Sequence, residues 1–132
     1  MRRTYAIRPL LVALFILFVA PGVFAQSAEI DVNRLQDPAY LRQVIETSPE
    51  AIVLVDVRTA GEFSSGHLPE AVNIPLAEIA DSPPTEEMDA LIVLYCRSGN
   101  RSSQAERILR NLGYTDLVNF GGVLDWPYEL ER

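Results

Sequence analysis

The chemically reactive side chains of this sequence are concentrated in residues 91–102, which read LIVLYCRSGNRS. Five apolar residues lead into Cys96, the one cysteine of the chain, and the six residues after it are small, polar or cationic. A thiolate is the nucleophilic form of cysteine, and cationic surroundings rich in N–H groups favour it. The pattern therefore indicates a reactive thiol, although a buried cysteine can also serve simply as a small apolar residue.

The segment after the thiol has the composition of an anion-binding loop. Residues 97–102 join an apolar strand to an amphipathic helix, and the start of a helix attracts negative charge. Such a loop directs successive backbone N–H groups into one concavity. Arg97 and Arg101 either add positive charge there or form salt bridges with an acidic surface. A thiolate inside an anion cradle predicts a nucleophile whose substrate is an oxyanion.

Two reactions fit this arrangement, namely phosphoryl transfer through a cysteinyl phosphate and sulfur transfer through a persulfide. Cysteine phosphatases have the pattern C-x5-R, in which the arginine reaches back to the phosphate. In this sequence only four residues separate Cys96 from Arg101, so the loop is one residue shorter. A shorter loop encloses less space and favours a smaller bound group, such as the outer sulfur of a persulfide.

The alternation of apolar strands and amphipathic helices predicts an α/β domain with a mainly parallel sheet. Ligands of such sheets bind outside the carboxyl ends of the strands, where Cys96 is expected to lie. Helices are predicted to begin at Asp37-Pro38 and near Arg101, with one or two helical turns at 76–80. Strands are predicted at 51–57, 71–74, 91–95 and 117–118, with an edge strand at 29–32 and a turn at Gly121-Gly122.

Residues 1–25 have the pattern of a secretory signal peptide. Residues 1–3 are basic at two positions, residues 10–20 are an unbroken apolar run, and Val23 and Ala25 supply small side chains at the −3 and −1 positions for cleavage after Ala25. The run is shorter than the roughly 20 residues that span a bilayer, which disfavours a retained membrane anchor. We expect residues 26–132 to form one exported domain, periplasmic in a Gram-negative cell and secreted where there is no outer membrane.

The expected mature chain is strongly acidic. It contains 18 acidic residues, eight arginines and no lysine, which gives a net charge of −10. This charge disfavours nonspecific binding to nucleic acid or to an anionic membrane surface. Because the chain has one cysteine, it cannot form an intramolecular disulfide. An unpaired thiol in an oxidising compartment is therefore expected to have another role, and chemical reactivity is one candidate.

Four blocks of the sequence follow one another over roughly residues 29–128. They are Asp56-Val57-Arg58 with Glu62-Phe63, Gly66-His67-Leu68-Pro69 with Ala71 and Asn73-Ile74-Pro75, Leu91–Tyr95 with Cys96–Ser102, and Leu112-Gly113-Tyr114 with Gly121-Gly122 and Trp126. Together these blocks resemble the single-domain rhodanese (thiosulfate sulfurtransferase) family. One block alone is weak, but four in order are specific, although Glu70 stands where the family usually has glycine. The resemblance implies a rhodanese-like three-layer domain in which helices flank a mainly parallel sheet.

The resemblance implies that Cys96 is a sulfur-accepting nucleophile. Its thiolate attacks the outer sulfur of thiosulfate, sulfite leaves, and cyanide or a thiol collects the sulfur from the persulfide. The family needs no metal or organic cofactor, and the acidic residues here have no defensible metal-ligand spacing. The implied substrate and persulfide loop consists of Arg97, Ser98, Gly99, Asn100, Arg101 and Ser102.

Three further residues are implied to be structural near the site. Asp56 and Arg58 follow a buried strand and are expected to fix the next loop by hydrogen bonds or an ion pair. His67, the one histidine of the chain, is expected to order its own loop rather than form a catalytic pair with Cys96.

Other functions remain compatible with the sequence. A rhodanese-like module can bind a partner protein, but such modules commonly lack the cysteine. A persulfide carrier that passes sulfur to a specific protein would retain it. The short loop disfavours a phosphatase, and the absence of a second cysteine disfavours an arsenate reductase. The resemblance implies thiosulfate as the donor, and a thiol persulfide or mercaptopyruvate remains an alternative. Mercaptopyruvate ranks lower, because its enzymes usually have the loop Cys-Gly-Ser-Gly-Val-Thr. The sequence identifies neither the physiological donor and acceptor nor the oligomeric state.

Overall fold

The structure is a computed structural model, and it describes residues 29–132. The signal peptide predicted for residues 1–25 lies outside the described residues, so it stays a prediction. Within residues 29–132, no helix has the length and the apolar content needed to cross a membrane.

A single four-stranded sheet forms the centre of the fold. Its strands are β1 (Val53–Asp56), β2 (Val72–Asn73), β3 (Ile92–Cys96) and β4 (Leu117–Gly122). They lie in the order β2-β1-β3-β4, and each neighbouring pair is parallel. β3 is buried at every position, as expected for an apolar strand covered on both faces of a parallel sheet. The predicted α/β fold is therefore confirmed.

Three helices flank or connect the strands: α1 (Pro38–Thr47), α2 (Ala60–Ser65) and α3 (Asn100–Leu112). The predicted start of α1 is confirmed, because the Asp37 carboxylate accepts a hydrogen bond from the Ala39 N–H at 2.9 Å and Pro38 occupies the first turn. α3 ends at Gly113, whose φ of 108° suits the left-handed C-terminal position that glycine adopts.

Two apolar cores make the fold three-layered. Val93 and Tyr95 of β3 pack into the core on the α1 side, whereas Ile92, Leu94 and Cys96 pack into the core on the α3 side. This alternation follows from the two-residue period of a strand. It places the thiol under the first turns of α3. The helix residues buried in these cores are Leu41, Val44 and Ile45 of α1 and Ala105 and Leu109 of α3.

The predicted edge strand at residues 29–32 is wrong. A three-residue 3₁₀ helix, Val32–Arg34, occupies this part of the chain. The Asp31 carboxylate accepts a hydrogen bond from the Asn33 N–H at 3.1 Å. A short acidic side chain that binds the backbone two residues ahead competes with strand pairing.

The predicted helical turns at residues 76–80 are hydrogen-bonded turns rather than a helix. At the other edge of the sheet, the turn towards Trp126 was predicted to start at Gly121-Gly122. Both glycines belong to β4 and pair with Tyr95 and Cys96, and the turn, a 3₁₀ helix over Val123–Asp125, starts after Gly122. β4 is therefore longer than its apolar residues suggest. It continues because glycine lets its backbone approach the end of β3.

Candidate active site

The thiol of Cys96 lies at the carboxyl end of β3 and is enclosed by the loop that follows it. Cys96 is 1% exposed. Its Sγ accepts hydrogen bonds from the Gly99 N–H at 3.1 Å and from the Ser102 hydroxyl at 3.5 Å. The loop thus turns back over the residue from which it starts, and its donors converge on one sulfur atom.

These donors stabilise the thiolate form of Cys96. Burial raises the pKa of the thiol, because a charge is costly in a poorly solvated site. Hydrogen bonds from the Ser102 hydroxyl and from the backbone N–H groups of Ser102, Gly99 and Ser98 outweigh this effect. The net result is a pKa below the usual value of a cysteine thiol, which favours nucleophilic attack by Cys96 at neutral pH.

Ser102 is buried and has more than one acceptor for its single hydroxyl hydrogen. Besides the sulfur, its Oγ lies 3.1 Å from the Gly99 carbonyl oxygen and 3.2 Å from the Gly121 carbonyl oxygen. The hydroxyl can donate to only one of them at a time. It can therefore turn towards Sγ when the sulfur is negatively charged and towards a carbonyl when it is not.

The path of the loop depends on Gly99, which has a φ of 100° and precedes the first residue of α3. This left-handed conformation is readily adopted by glycine. The Gly99 carbonyl oxygen accepts hydrogen bonds from the Ser103 N–H at 3.0 Å and the Ser103 hydroxyl at 2.8 Å. Asn119 Nδ2 donates to the Ser103 hydroxyl at 2.8 Å and approaches the same carbonyl at 3.4 Å. β4 and α3 thus hold the loop from two sides.

The two arginines of the loop differ in their contacts. Arg101 forms a two-pronged ion pair with Glu62, with nitrogen–oxygen distances of 2.7 and 2.8 Å. Arg97 is exposed, and no acidic side chain within the described residues forms an ion pair with it. The sequence allowed each arginine either to add positive charge for an anion or to form a salt bridge, and Arg101 forms the salt bridge. Arg97 remains available to an incoming anion.

The other loop residues are at or near the surface. Ser98 is exposed and contributes its backbone N–H towards the sulfur. Asn100 begins α3, and its side-chain oxygen accepts from Gln104 Nε2 at 3.5 Å. The hydrogen bonds to Cys96 include neither of these side chains, so the cradle is formed mainly by backbone.

Asp56 and Arg58 form a buried ion pair at the end of β1. Arg58 Nη2 lies 2.6 Å from Asp56 Oδ2 and also donates to the Gly66 carbonyl oxygen at 2.7 Å. Asn73 Nδ2 donates to the carbonyl oxygens of Asp56 and Arg58 at 3.0 and 2.9 Å. The pair thus connects the end of β1 with β2 and with the loop after α2, which is the local arrangement expected for these residues.

Tyr95, the residue before the thiol, lies beside this pair. Its hydroxyl oxygen accepts a hydrogen bond from the Leu68 N–H at 3.0 Å. Burial, reinforced by the negative charge of Asp56, raises the pKa of Tyr95, so its hydroxyl stays neutral. Tyr95 therefore fixes the end of β3 to the loop that precedes β2.

His67 has its contacts away from the thiol loop. Its Nδ1 forms a hydrogen bond with the Phe63 carbonyl oxygen at 3.0 Å, and its ring stacks on that of Phe63 at 3.7 Å. Its backbone pairs with Glu131 near the C-terminus. These contacts order the 63–67 segment, and none of them joins His67 to Cys96.

Two functional contacts could not be inferred from the sequence. Glu62 was placed in a family block, but nothing in its spacing indicates Arg101 as its partner, 39 residues further along. The support that Asn119 and Gly122 give to the loop also depends on strand pairing across the sheet. The adjacent glycines are the one local signal of a close backbone approach.

No group of three His, Cys, Asp or Glu side chains within residues 29–132 could hold a metal ion.

The protein is thus an α/β domain with a parallel sheet, and a loop that stabilises a thiolate lies at the carboxyl end of one of its central strands. A profile of the rhodanese-like domain matches residues 37–127. The chain therefore belongs to the rhodanese-like sulfurtransferase family.

Individual relatives agree with this assignment. A sulfurtransferase of Allochromatium vinosum is 34% identical over 96 residues, which cover 72% of this chain and 88% of that protein. The thiosulfate sulfurtransferase PspE of Escherichia coli is 37% identical over 73 residues, which cover 54% and 70% of the two chains.

Solved structures show the same fold. An E. coli rhodanese determined with anions matches with a TM-score of 0.54 at 32% identity, covering 62% of this chain and 99% of that one. The human single-domain sulfurtransferase TSTD1 matches with a TM-score of 0.59 at 28% identity, covering 67% and 89%.

Proposed function

We propose that this protein is a thiosulfate sulfurtransferase that works through a persulfide on Cys96. The thiolate of Cys96 attacks the outer sulfur of thiosulfate and forms a new S–S bond. The S–S bond of thiosulfate breaks, and sulfite leaves with the bonding electron pair. Cyanide or a thiolate then attacks the outer sulfur of the persulfide, and Cys96 regains its electron pair as a thiolate.

The observation that supports this reaction best is the convergence of hydrogen-bond donors on one sulfur atom. The Gly99 N–H and the Ser102 hydroxyl both reach Cys96 Sγ. They stabilise the attacking thiolate first. After transfer, the negatively charged outer sulfur of the persulfide needs donors of the same kind, and the N–H groups of residues 97–101 are the available ones.

The identity of the donor is supported by charge and by the relatives. Arg97 is an exposed cation directly after the thiol, and thiosulfate is a small dianion. PspE, which is similar to this chain, is described as a thiosulfate sulfurtransferase, and the similar E. coli rhodanese was solved with anions. The reaction uses the side chains and the backbone of the chain alone, without a metal or an organic cofactor.

Steady-state kinetics with thiosulfate and cyanide test this proposal. We expect thiocyanate and sulfite to form in equal amounts and double-reciprocal plots to give parallel lines, as in a ping-pong mechanism. Cys96→Ser should form neither product. Intersecting lines, or equal turnover by Cys96→Ser, would contradict the covalent mechanism.

A persulfide carrier is the second candidate, and the surface beside the loop favours it. Leu124 is 66% exposed, and its N–H donates to the Arg97 carbonyl oxygen at 3.2 Å. An exposed leucine next to a reactive thiol suits contact with a protein acceptor. A carrier would form the persulfide in one turnover and would release its sulfur slowly to cyanide.

We also propose that the domain acts outside the cytoplasm, in the periplasm of a Gram-negative cell. The proposal rests on the sequence of residues 1–25 alone. The mass of the protein isolated from its native cells tests it. A mature chain that begins at residue 26 supports export, and a chain that retains residues 1–25 in the cytoplasmic fraction contradicts it.

A further inference from the structure

The ion pair between Glu62 and Arg101 connects the two helices that border the thiol loop. Glu62 lies in the first turn of α2, where its carboxylate also accepts hydrogen bonds from the Thr59 N–H at 3.1 Å and hydroxyl at 3.0 Å. Arg101 is the second residue of α3. The pair therefore spans from the α2 cap to the end of the Cys96 loop, and each partner is about one third exposed.

Arg101 is next in sequence to Ser102, whose hydroxyl donates to Cys96 Sγ at 3.5 Å, so the guanidinium belongs to the same first turn of α3 that contacts the thiol. Its pKa is raised first by the hydrogen bonds to Glu62 and also by the negative charges of Glu62 and Cys96. The same hydrogen bonds lower the pKa of Glu62 to about 2. Glu62 thus stays negatively charged over the whole pH range in which a cysteine titrates, and the positive charge of Arg101 is always opposed.

We propose that Glu62 is a positioning residue that limits the positive charge at the Cys96 loop. It holds Arg101 in place and neutralises it, so that Arg97 is the loop cation that meets an anionic donor. The part of this inference that concerns the donor rests on the proposed function. The part that concerns the charge around Cys96 does not.

The other acidic groups near the loop are paired or hydrogen-bonded, whereas Arg97 is exposed and has no ion-pair partner within residues 29–132. Asp56 at the end of β1 is paired with Arg58. Asp125, in the turn after β4, accepts a hydrogen bond from the Gly122 N–H at 3.1 Å. The substitution Glu62→Gln therefore uncovers one positive charge at the loop. The glutamine retains a side-chain oxygen that can accept the hydrogen bond from the Thr59 N–H.

The test is the pH profile of Cys96 alkylation by iodoacetamide, a neutral reagent that needs no sulfur donor. In Glu62→Gln we expect the midpoint to move to lower pH than in the unmodified sequence, because the freed Arg101 stabilises the thiolate. With thiosulfate as substrate, KM should fall by about threefold, which is the effect expected from one additional, partly exposed positive charge. A merely structural role of Glu62 would move neither quantity in this direction.

The chain supplies a matched control on the same helix. Glu106 pairs with Arg110 at 2.8 Å in α3, and Glu106→Gln frees an arginine farther along that helix. It should leave both the alkylation midpoint and KM unchanged. The double variant Glu62→Gln, Arg101→Gln removes both charges of the pair, so its midpoint should return to that of the unmodified sequence.

Arg101→Gln alone gives an independent test that does not depend on the folding of Glu62→Gln. It leaves the Glu62 carboxylate unopposed near the thiol, so the midpoint should move to higher pH. Unchanged midpoints in both single variants would overturn the inference. Shifted midpoints without any sulfur transfer from thiosulfate would uphold the role of Glu62 and reject thiosulfate as the donor.

Discussion

The backbone of Gly122 lies directly against the carbonyl group of Arg97. A Cβ atom added to Gly122 would lie 2.0 Å from the Arg97 oxygen and 2.5 Å from the Ser98 nitrogen. No side chain fits into this contact, since both neighbouring atoms belong to the backbone. β4 therefore determines how close the thiol loop lies to the sheet, and Gly122 is the residue that allows the approach.

Gly122→Ala should displace the loop. We expect a loss of about 1–3 kcal/mol in the free energy of unfolding, as for overpacking at a site that cannot relax, together with slower persulfide formation. Urea denaturation and single-turnover kinetics measure the two effects. The control is Gly61→Ala in α2, where an added Cβ meets nothing within 4 Å, and which should gain about 0.5–1 kcal/mol. Equal stability of the two variants would contradict the contact.

The buried pair of Asp56 and Arg58 gives a prediction about stability. Asp56 is 0% exposed, and Asp56→Asn leaves the Arg58 guanidinium buried without a counter-charge. We expect a loss of about 3–5 kcal/mol in the free energy of unfolding, measured by urea denaturation. Glu46→Gln, which breaks the exposed pair with Arg42, should have no measurable effect. A similar result for both variants would show that Asp56 does not stabilise the loops.

The lowered pKa of Cys96 predicts the pH dependence of sulfur acceptance. Only the thiolate attacks, so the rate should be near its maximum above the pKa of Cys96 and should fall as the pH decreases through it. The midpoint should lie below the usual pKa of a cysteine thiol, because the loop donors stabilise the thiolate. Rapid-mixing measurements of sulfite release over a range of pH would give it, and a midpoint at or above the usual value would contradict the role of the loop donors.

Ser102→Ala removes one of those donors. The midpoint should move to higher pH, and the rate at neutral pH should fall by about tenfold, which corresponds to one hydrogen bond. Ser64→Ala is the matched control, because the Ser64 hydroxyl binds only the Ala60 carbonyl oxygen on α2. An unchanged profile in Ser102→Ala would assign the stabilisation to the backbone N–H groups alone.

Arg97 should affect the binding of the donor more than the stability of the fold. Arg97→Gln is expected to raise KM for thiosulfate by about threefold, because it removes the exposed cation next to the thiol, while the thermal midpoint of unfolding stays the same. Arg107→Gln removes an exposed arginine of α3 and should leave KM unchanged. If both variants had equal KM values, donor recognition would have to lie in the backbone of the loop.

Sequence patterns were sufficient where the determining interactions are local. The apolar run before Cys96 predicts a buried strand, and the two-residue separation of Asp56 and Arg58 allows the pair that the structure contains. The partner of Arg101 is 39 residues away, and no spacing rule relates α2 to α3. The full length of β4 was missed for the same reason, because Gly121 and Gly122 are extended only by pairing with β3.

Intact mass after incubation with thiosulfate tests whether Cys96 accepts sulfur. We expect residues 26–132, with Cys96 reduced, to gain one sulfur atom, about 32 Da, as a cysteine persulfide. Cys96→Ser should gain nothing. An unchanged mass of the reduced chain, or the same gain in Cys96→Ser, would contradict a sulfur-accepting thiol at this position.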